Sequence, residues 1–200
     1  MKGRPRLWGL GVLLALGATM LFLVALPSSA AGGAQHVRWD IISLTGGTPP
    51  GPINAGGHAS ATAPDGDTIT ITGSGTFVAP ASGGESGAAT GGGTWRTSSG
   101  GSGTYQVTRL VDWEFANFQA ATPAFVDNID EGRRANGTAV LRIAFSDGAQ
   151  GVLTVGCHGP GAPPGIFEGI ATTKGYKTYY TVQPPTSGVD ANRTLFHVRR

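Results

Sequence analysis

Residues 58–77 read HASATA (58–63), PDG (64–66), DTITITGSGTF (67–77), and this stretch decides the fold. Side chains on a strand point alternately to opposite faces. In the second arm Ile69, Ile71 and Phe77 therefore share one face, while Thr68, Thr70, Thr72 and Thr76 share the other. Between the arms, Asp65-Gly66 supplies the positive φ that tight hairpin turns require. One face is apolar, one hydroxylated, and a turn joins the arms: this is a β-hairpin.

The same pattern extends outward in both directions. Val37 to Leu44 reads as a first strand and Pro49 to Gly57 as a turn-rich loop. Thr104 to Phe115 is the longest expected strand, with Tyr105, Val107, Val111, Trp113 and Phe115 on one face. Thr138 to Phe145 and Gly151 to Cys157 flank a short turn and form a second hairpin. Ile166 to Thr173, Tyr176 to Gln183 and Thr194 to Val198 complete the set. Residues 79–103 are rich in Gly, Ser, Ala and Thr, and read as a strand centred on Trp95 between mobile loops. Residues 116–137 read as a long irregular stretch with room for a short helix or a lid. No stretch keeps a 3.6-residue apolar period. The expectation is all-β: a single antiparallel β-barrel or a two-sheet β-sandwich of about nine or ten short strands.

The beginning of the chain has a different character. Lys2, Arg4 and Arg6 precede Leu7 to Leu26, a run without a charged residue, and Pro27-Ser28-Ser29-Ala30-Ala31 follows. A basic start, an apolar run and small exit residues predict a signal peptide at 1–30, cleaved near Ala30/Ala31. One exported domain at 31–200 follows. The apolar run is also long enough for an uncleaved anchor. Without the leader, eleven basic residues face twelve acidic ones. No basic cluster suits a nucleic acid or an anionic membrane. The single cysteine, Cys157, excludes an internal disulfide, so the core must carry stability.

Two charges fall out of phase. Arg109 lies between Val107 and Val111, and Glu168 lies between Ile166 and Ile170. Buried charges cost several kcal/mol unless paired or hydrated. Either the two form a pair, or they line a ligand cavity, or a bulge turns one outward. Arg109 and Glu168 are thus the candidate ligand-binding residues.

Other groups read as structural. Asp112 and Glu114 share the solvent face of one strand, unlike a carboxylate pair set across a cleft. His36, His58, His158 and His197 lack metal-site spacing. Cys157 and His158 are adjacent and point apart, while Cys157 is in phase with Leu153 and Val155. Residues 127–131 form an acidic loop with Ile129 where an EF-hand needs an oxygen. Asn136-Gly137-Thr138 and Asn192-Arg193-Thr194 match the glycosylation triplet.

No catalytic residue, metal or cofactor is expected. The reading favours a non-catalytic exported β-domain, secreted or in the cell envelope, that binds a small molecule or a cell-envelope partner. The alternatives are a barrel-type enzyme with a cavity around Arg109 and Glu168, and a structural envelope protein.

Overall fold

The computed structural model describes residues 34–44, 51–80, 84–121, 126–185 and 191–199. The expected leader at 1–30 and its cleavage point lie outside them. Among the described residues there is no helix, and thirteen strands pair antiparallel in one branched sheet.

Six strands close a barrel: β1 (Gln35–Leu44), β5 (Ser74–Ala79), β6 (Gly92–Thr97), β7 (Ser102–Phe118), β8 (Arg133–Phe145) and β13 (Thr194–Arg199). The ring runs β8-β13-β1-β5-β6-β7 and back to β8. The other strands extend the sheet beyond it. β2 (Ile53–Ala55) pairs the end of β1. β3 (His58–Thr62), β4 (Thr68–Thr72) and β12 (Thr181–Val182) continue from β6. β9 (Gln150–Cys157), β10 (Gly169–Lys174) and β11 (Lys177–Tyr179) continue from β8. β10 packs against β3 and β12 without pairing to them, so this second ring stays open.

The core follows that plan. In the closed ring the Trp113 indole meets Phe77 and Phe196 edge-on, with centroids 5.5 and 4.6 Å apart. In the open ring Trp95 meets Phe145 edge-on at 5.7 Å, above buried Ile69, Ile71, Leu153 and Ile170. Each aromatic removes roughly 150–250 Å² from water, which contributes several kcal/mol at about 25 cal/mol per Å². Strands β7 and β8 run through both rings and tie them together.

The strand count exceeds the expected nine or ten for identifiable reasons. β2 sits inside the stretch expected to be a loop. The strand expected at 67–77 is broken at Gly73, where φ is +150° and a Cβ would lie 2.3 Å from the Tyr105 hydroxyl and 2.7 Å from the Gly92 carbonyl. Only glycine lets the chain bend there and pass from the open ring into the closed one. The strand expected at 176–183 is interrupted at Tyr180. Residues 86–90, expected as mobile loop, instead complete the barrel seam. Val78 N–H donates to Ala88 O (2.9 Å), Thr90 N–H to Thr76 O (2.8 Å) and Leu110 N–H to Ser86 O (3.0 Å). The irregular stretch expected at 116–137 is strand at both of its ends. β7 extends to Phe118 and β8 begins at Arg133.

The longest strand also corrects the phase argument. β7 and β8 slip register between Val107 and Arg109, and again between Leu110 and Asp112. Tyr105 and Val107 point inward, the first bulge brings Leu110 inward, and the second restores Trp113. Two bulges cancel, and Arg109 faces water. Its guanidinium pairs with exposed Glu85 at 2.7 Å. Glu168 does not lie in a strand at all, because β10 begins one residue later, at Gly169. The two charges therefore do not pair with each other.

Candidate ligand-binding site

The site arises where the sheet forks. One edge of β8 is covered by β7 along most of its length. The other edge is shared: β13 pairs Arg133 to Ala135, and β9 pairs Gly137 to Ala144. At the fork β9 and β13 separate, and backbone N–H groups on both arms lose their ladder partners. Buried donors must be satisfied. Glu168 satisfies them, accepting from His158 N–H (2.6 Å) on one arm and from Thr194 N–H (2.7 Å) on the other. Thr194 Oγ1 donates across the fork to Gly156 O at 2.5 Å.

Beside this clamp lies a cavity of about 380 Å³. Its apolar wall is Ile42 and Leu44 from β1, Ile53 from β2, Leu195 from β13, and the prolines Pro160 and Pro185. Its polar wall is Gln119, Arg134, Cys157, His158, Glu168, Arg193 and Thr194. The apolar side chains project outward from the barrel. There β2 pairs with the end of β1, and Val126 and Asn128 bond the Ile53 backbone on it.

That cover is held by hydrogen bonds and ion pairs. His197, fully buried on the outer face of β13, bonds Asp127 through Nε2 at 2.8 Å. Arg38 forks onto Asp40 at 2.8 and 2.9 Å and also reaches Glu131, which Arg199 holds from the other side. Burial pushes the Asp40 carboxyl up, against the pull of Arg38. The acidic loop at 127–131 is thus a tied cover rather than a solvated excursion.

The electrostatics of the cavity are unusual. Burial pushes the Glu168 carboxyl up to about 7, against the backbone donors of Thr194 and His158 and the nearby charge of Arg193. Burial also pushes the Cys157 thiol up, and the Glu168 charge adds to that, against N–H donors from Phe196, Gly159 and Gln119. A thiol held protonated is a poor nucleophile. The Arg193 Nε is buried with no hydrogen-bond partner.

No family model matches the chain. Comparison with curated proteins and with solved structures also gave no match. The site's chemistry therefore has to be read from its own residues.

Of the two expected site residues, Glu168 lies in the cavity and Arg109 lies outside it, on the outer face of the barrel. Among the described residues no cluster of His, Cys, Asp or Glu could hold a metal ion. His36, His58 and His158 are exposed and scattered. Both glycosylation triplets are structural. Asn136 is buried, accepting from Gly159 N–H and donating to Asn117 Oδ1, each at 2.8 Å. Asn192 sits at φ 59° with its side chain bonded to Ser60 N–H and Pro184 O.

Sequence reasoning missed Arg193, whose triplet suggested only glycosylation. It also missed Asp67, which looked like the end of a turn. The Asp67 side chain is 8% exposed and joins three hairpins. It accepts from Ser98 Oγ (2.7 Å), Ser99 N–H (3.0 Å), Ser99 Oγ (3.1 Å), Lys177 Nζ (2.9 Å) and the Tyr179 hydroxyl (2.9 Å). The only signal for it was an acid placed directly before a strand.

Proposed function

We propose that this chain is a non-catalytic, exported binding protein that holds a small, mostly apolar ligand in the fork cavity. The cavity itself carries the reading. Its volume falls in the range of small-molecule sites, and it combines an apolar wall with a few polar groups, as such sites do. The protonated Cys157 thiol favours binding over covalent catalysis. The export part rests on the basic start, apolar run and small exit residues of positions 1–30.

The test is a titration with 4-dimethylaminobenzonitrile, a small neutral fluorophore whose emission reports an apolar setting. The expected result is saturable enhancement of emission, lost in Ile42→Trp, which fills the cavity from β1. Arg109→Ala, distant from the cavity, should bind as the unaltered protein does. Absence of saturable binding, or binding unchanged in a folded Ile42→Trp variant, overturns the proposal.

A further inference from the structure

The cavity's polar groups differ in whether they are already engaged. Glu168 is occupied by its two backbone donors and the Thr194 hydroxyl. Thr194 Oγ1 is spent on Gly156 O, and Gln119 donates to Cys157 Sγ at 3.4 Å. His158 Nδ1 bonds Ile166 O at 2.9 Å, and Arg134 lies 4.0 Å from Asp127. Among the described residues, Arg193 Nε is the one buried side-chain polar atom lining the cavity that has no hydrogen-bond partner, and Glu168 meets Arg193 only through its charge. A buried N–H donor without an acceptor is costly, and a ligand that brings an anionic acceptor relieves that cost.

Resting on the binding function proposed above, we propose that the ligand is a monocarboxylic acid with an apolar body, its carboxylate held by Arg193 and its body against Ile42, Leu44, Ile53 and Leu195. A planar carboxylate matches the guanidinium fork with two parallel hydrogen bonds. Glu168 in the same cavity repels a second negative charge, which selects a monoanion over a phosphate ester. Size sets the body. At about 30 Å³ per non-hydrogen atom, water's share of liquid volume, the cavity takes roughly a dozen such atoms. Octanoate and decanoate are of that size, and so are small aromatic acids.

The experiment measures dissociation constants for octanoate, octanol, octylamine and octyl phosphate by displacement of the neutral fluorophore. Octanoate is expected to bind at least tenfold tighter than octanol and octyl phosphate, with octylamine weakest. In Arg193→Gln, octanoate should fall to the level of octanol while octanol is unchanged. Arg193→Lys should keep part of the preference, and it serves as the readout if Arg193→Gln does not fold. Equal binding of octanoate and octanol, or a preference that survives Arg193→Gln, overturns the proposal but leaves the cavity as an apolar binding site. Tighter binding of octyl phosphate overturns the carboxylate assignment. Failure of the fluorophore itself to bind overturns the binding function as well.

Discussion

Asp67 and Glu168 are both carboxylates withdrawn from water at junctions between strands, and they are built in opposite ways. Asp67 collects a lysine, a phenol, two serine hydroxyls and a backbone N–H, and its carboxyl is held well below the ordinary range, first by Ser98 and then by Lys177. Glu168 collects two backbone donors and one hydroxyl, makes no ion pair, and borders open space. Its carboxyl is pushed up to about 7. A saturated carboxylate is a joint that nothing else can enter. One without a direct ion pair, lining a cavity beside the buried and unbonded Nε of Arg193, leaves room for a ligand.

The largest expected effect is at the joint. Asp67→Ala removes the common acceptor of three hairpins and should cost about 3 kcal/mol, since hydrogen bonds to a charged group contribute roughly 1.5–3 kcal/mol and act here as a network. Urea unfolding measures it. Because the folded carboxyl titrates below its unfolded value, this stabilisation is complete above about pH 4. It fades as pH falls through the lowered folded value, and Asp67→Asn should flatten that acid limb. A loss below 1 kcal/mol would mean that the five contacts at Asp67 do not act together.

The second effect has the opposite sign. The Glu168 carboxyl is raised, so the folded state binds the extra proton between about pH 4.5 and 7. Stability should fall as pH rises through that window, by about 3 kcal/mol, and stay level above it. Glu168→Gln should remove the slope. Slopes of the same sign at Asp67 and Glu168 would erase the distinction between joint and site.

How much of this was legible beforehand depends on which force carries each feature. Alternation gave the strands because a half-buried sheet imposes a period of two on its residues, as at Ile69 and Ile71. Closure was not legible. It depends on Gly73, where a Cβ would lie 2.3 Å from the Tyr105 hydroxyl and 2.7 Å from the Gly92 carbonyl, and on residues 86–90 pairing through backbone groups, which their side chains do not advertise. Glu168 stood out as a charge among isoleucines, although the reason is the fork rather than strand phase. Arg109 stood out by the same rule for a different cause, a bulge that alternation cannot register. Arg193 and His197 gave no signal, and Asp67 only its place before a strand, because each draws its role from partners brought near only by the fold.

Cys157 tests the cavity wall with a smaller effect. Cys157→Ser places a hydroxyl among the N–H donors of Phe196, Gly159 and Gln119, so it should cost only about 1 kcal/mol rather than the full price of an unpartnered buried hydroxyl. The native thiol should resist alkylation, and labelling should follow unfolding. Rapid labelling of the folded protein would show that the cavity admits reagents freely, and that the thiol is not held protonated.

The smallest expected effect is at Arg109, and it matters because sequence phase alone couples this residue to Glu168. Arg109 and Glu85 are each about half exposed, so water already solvates both charges and their 2.7 Å ion pair adds little. Exposed pairs contribute about 0–1 kcal/mol, less as salt rises. Arg109→Ala should change stability by no more than about 0.5 kcal/mol, and a double-mutant cycle with Glu85→Ala should give a coupling of similar size that shrinks in high salt. The cycle with Glu168→Gln should give none, since the two residues share no partner and additivity holds for such sites. Had both charges lain buried together, removing either alone would have cost roughly 3–5 kcal/mol and removing both much less than the sum. A coupling above 1 kcal/mol between Arg109 and Glu168 would therefore place them in one cavity and discard the two cancelling bulges of β7. A null result keeps Arg109 outside the cavity that Glu168 and Arg193 line.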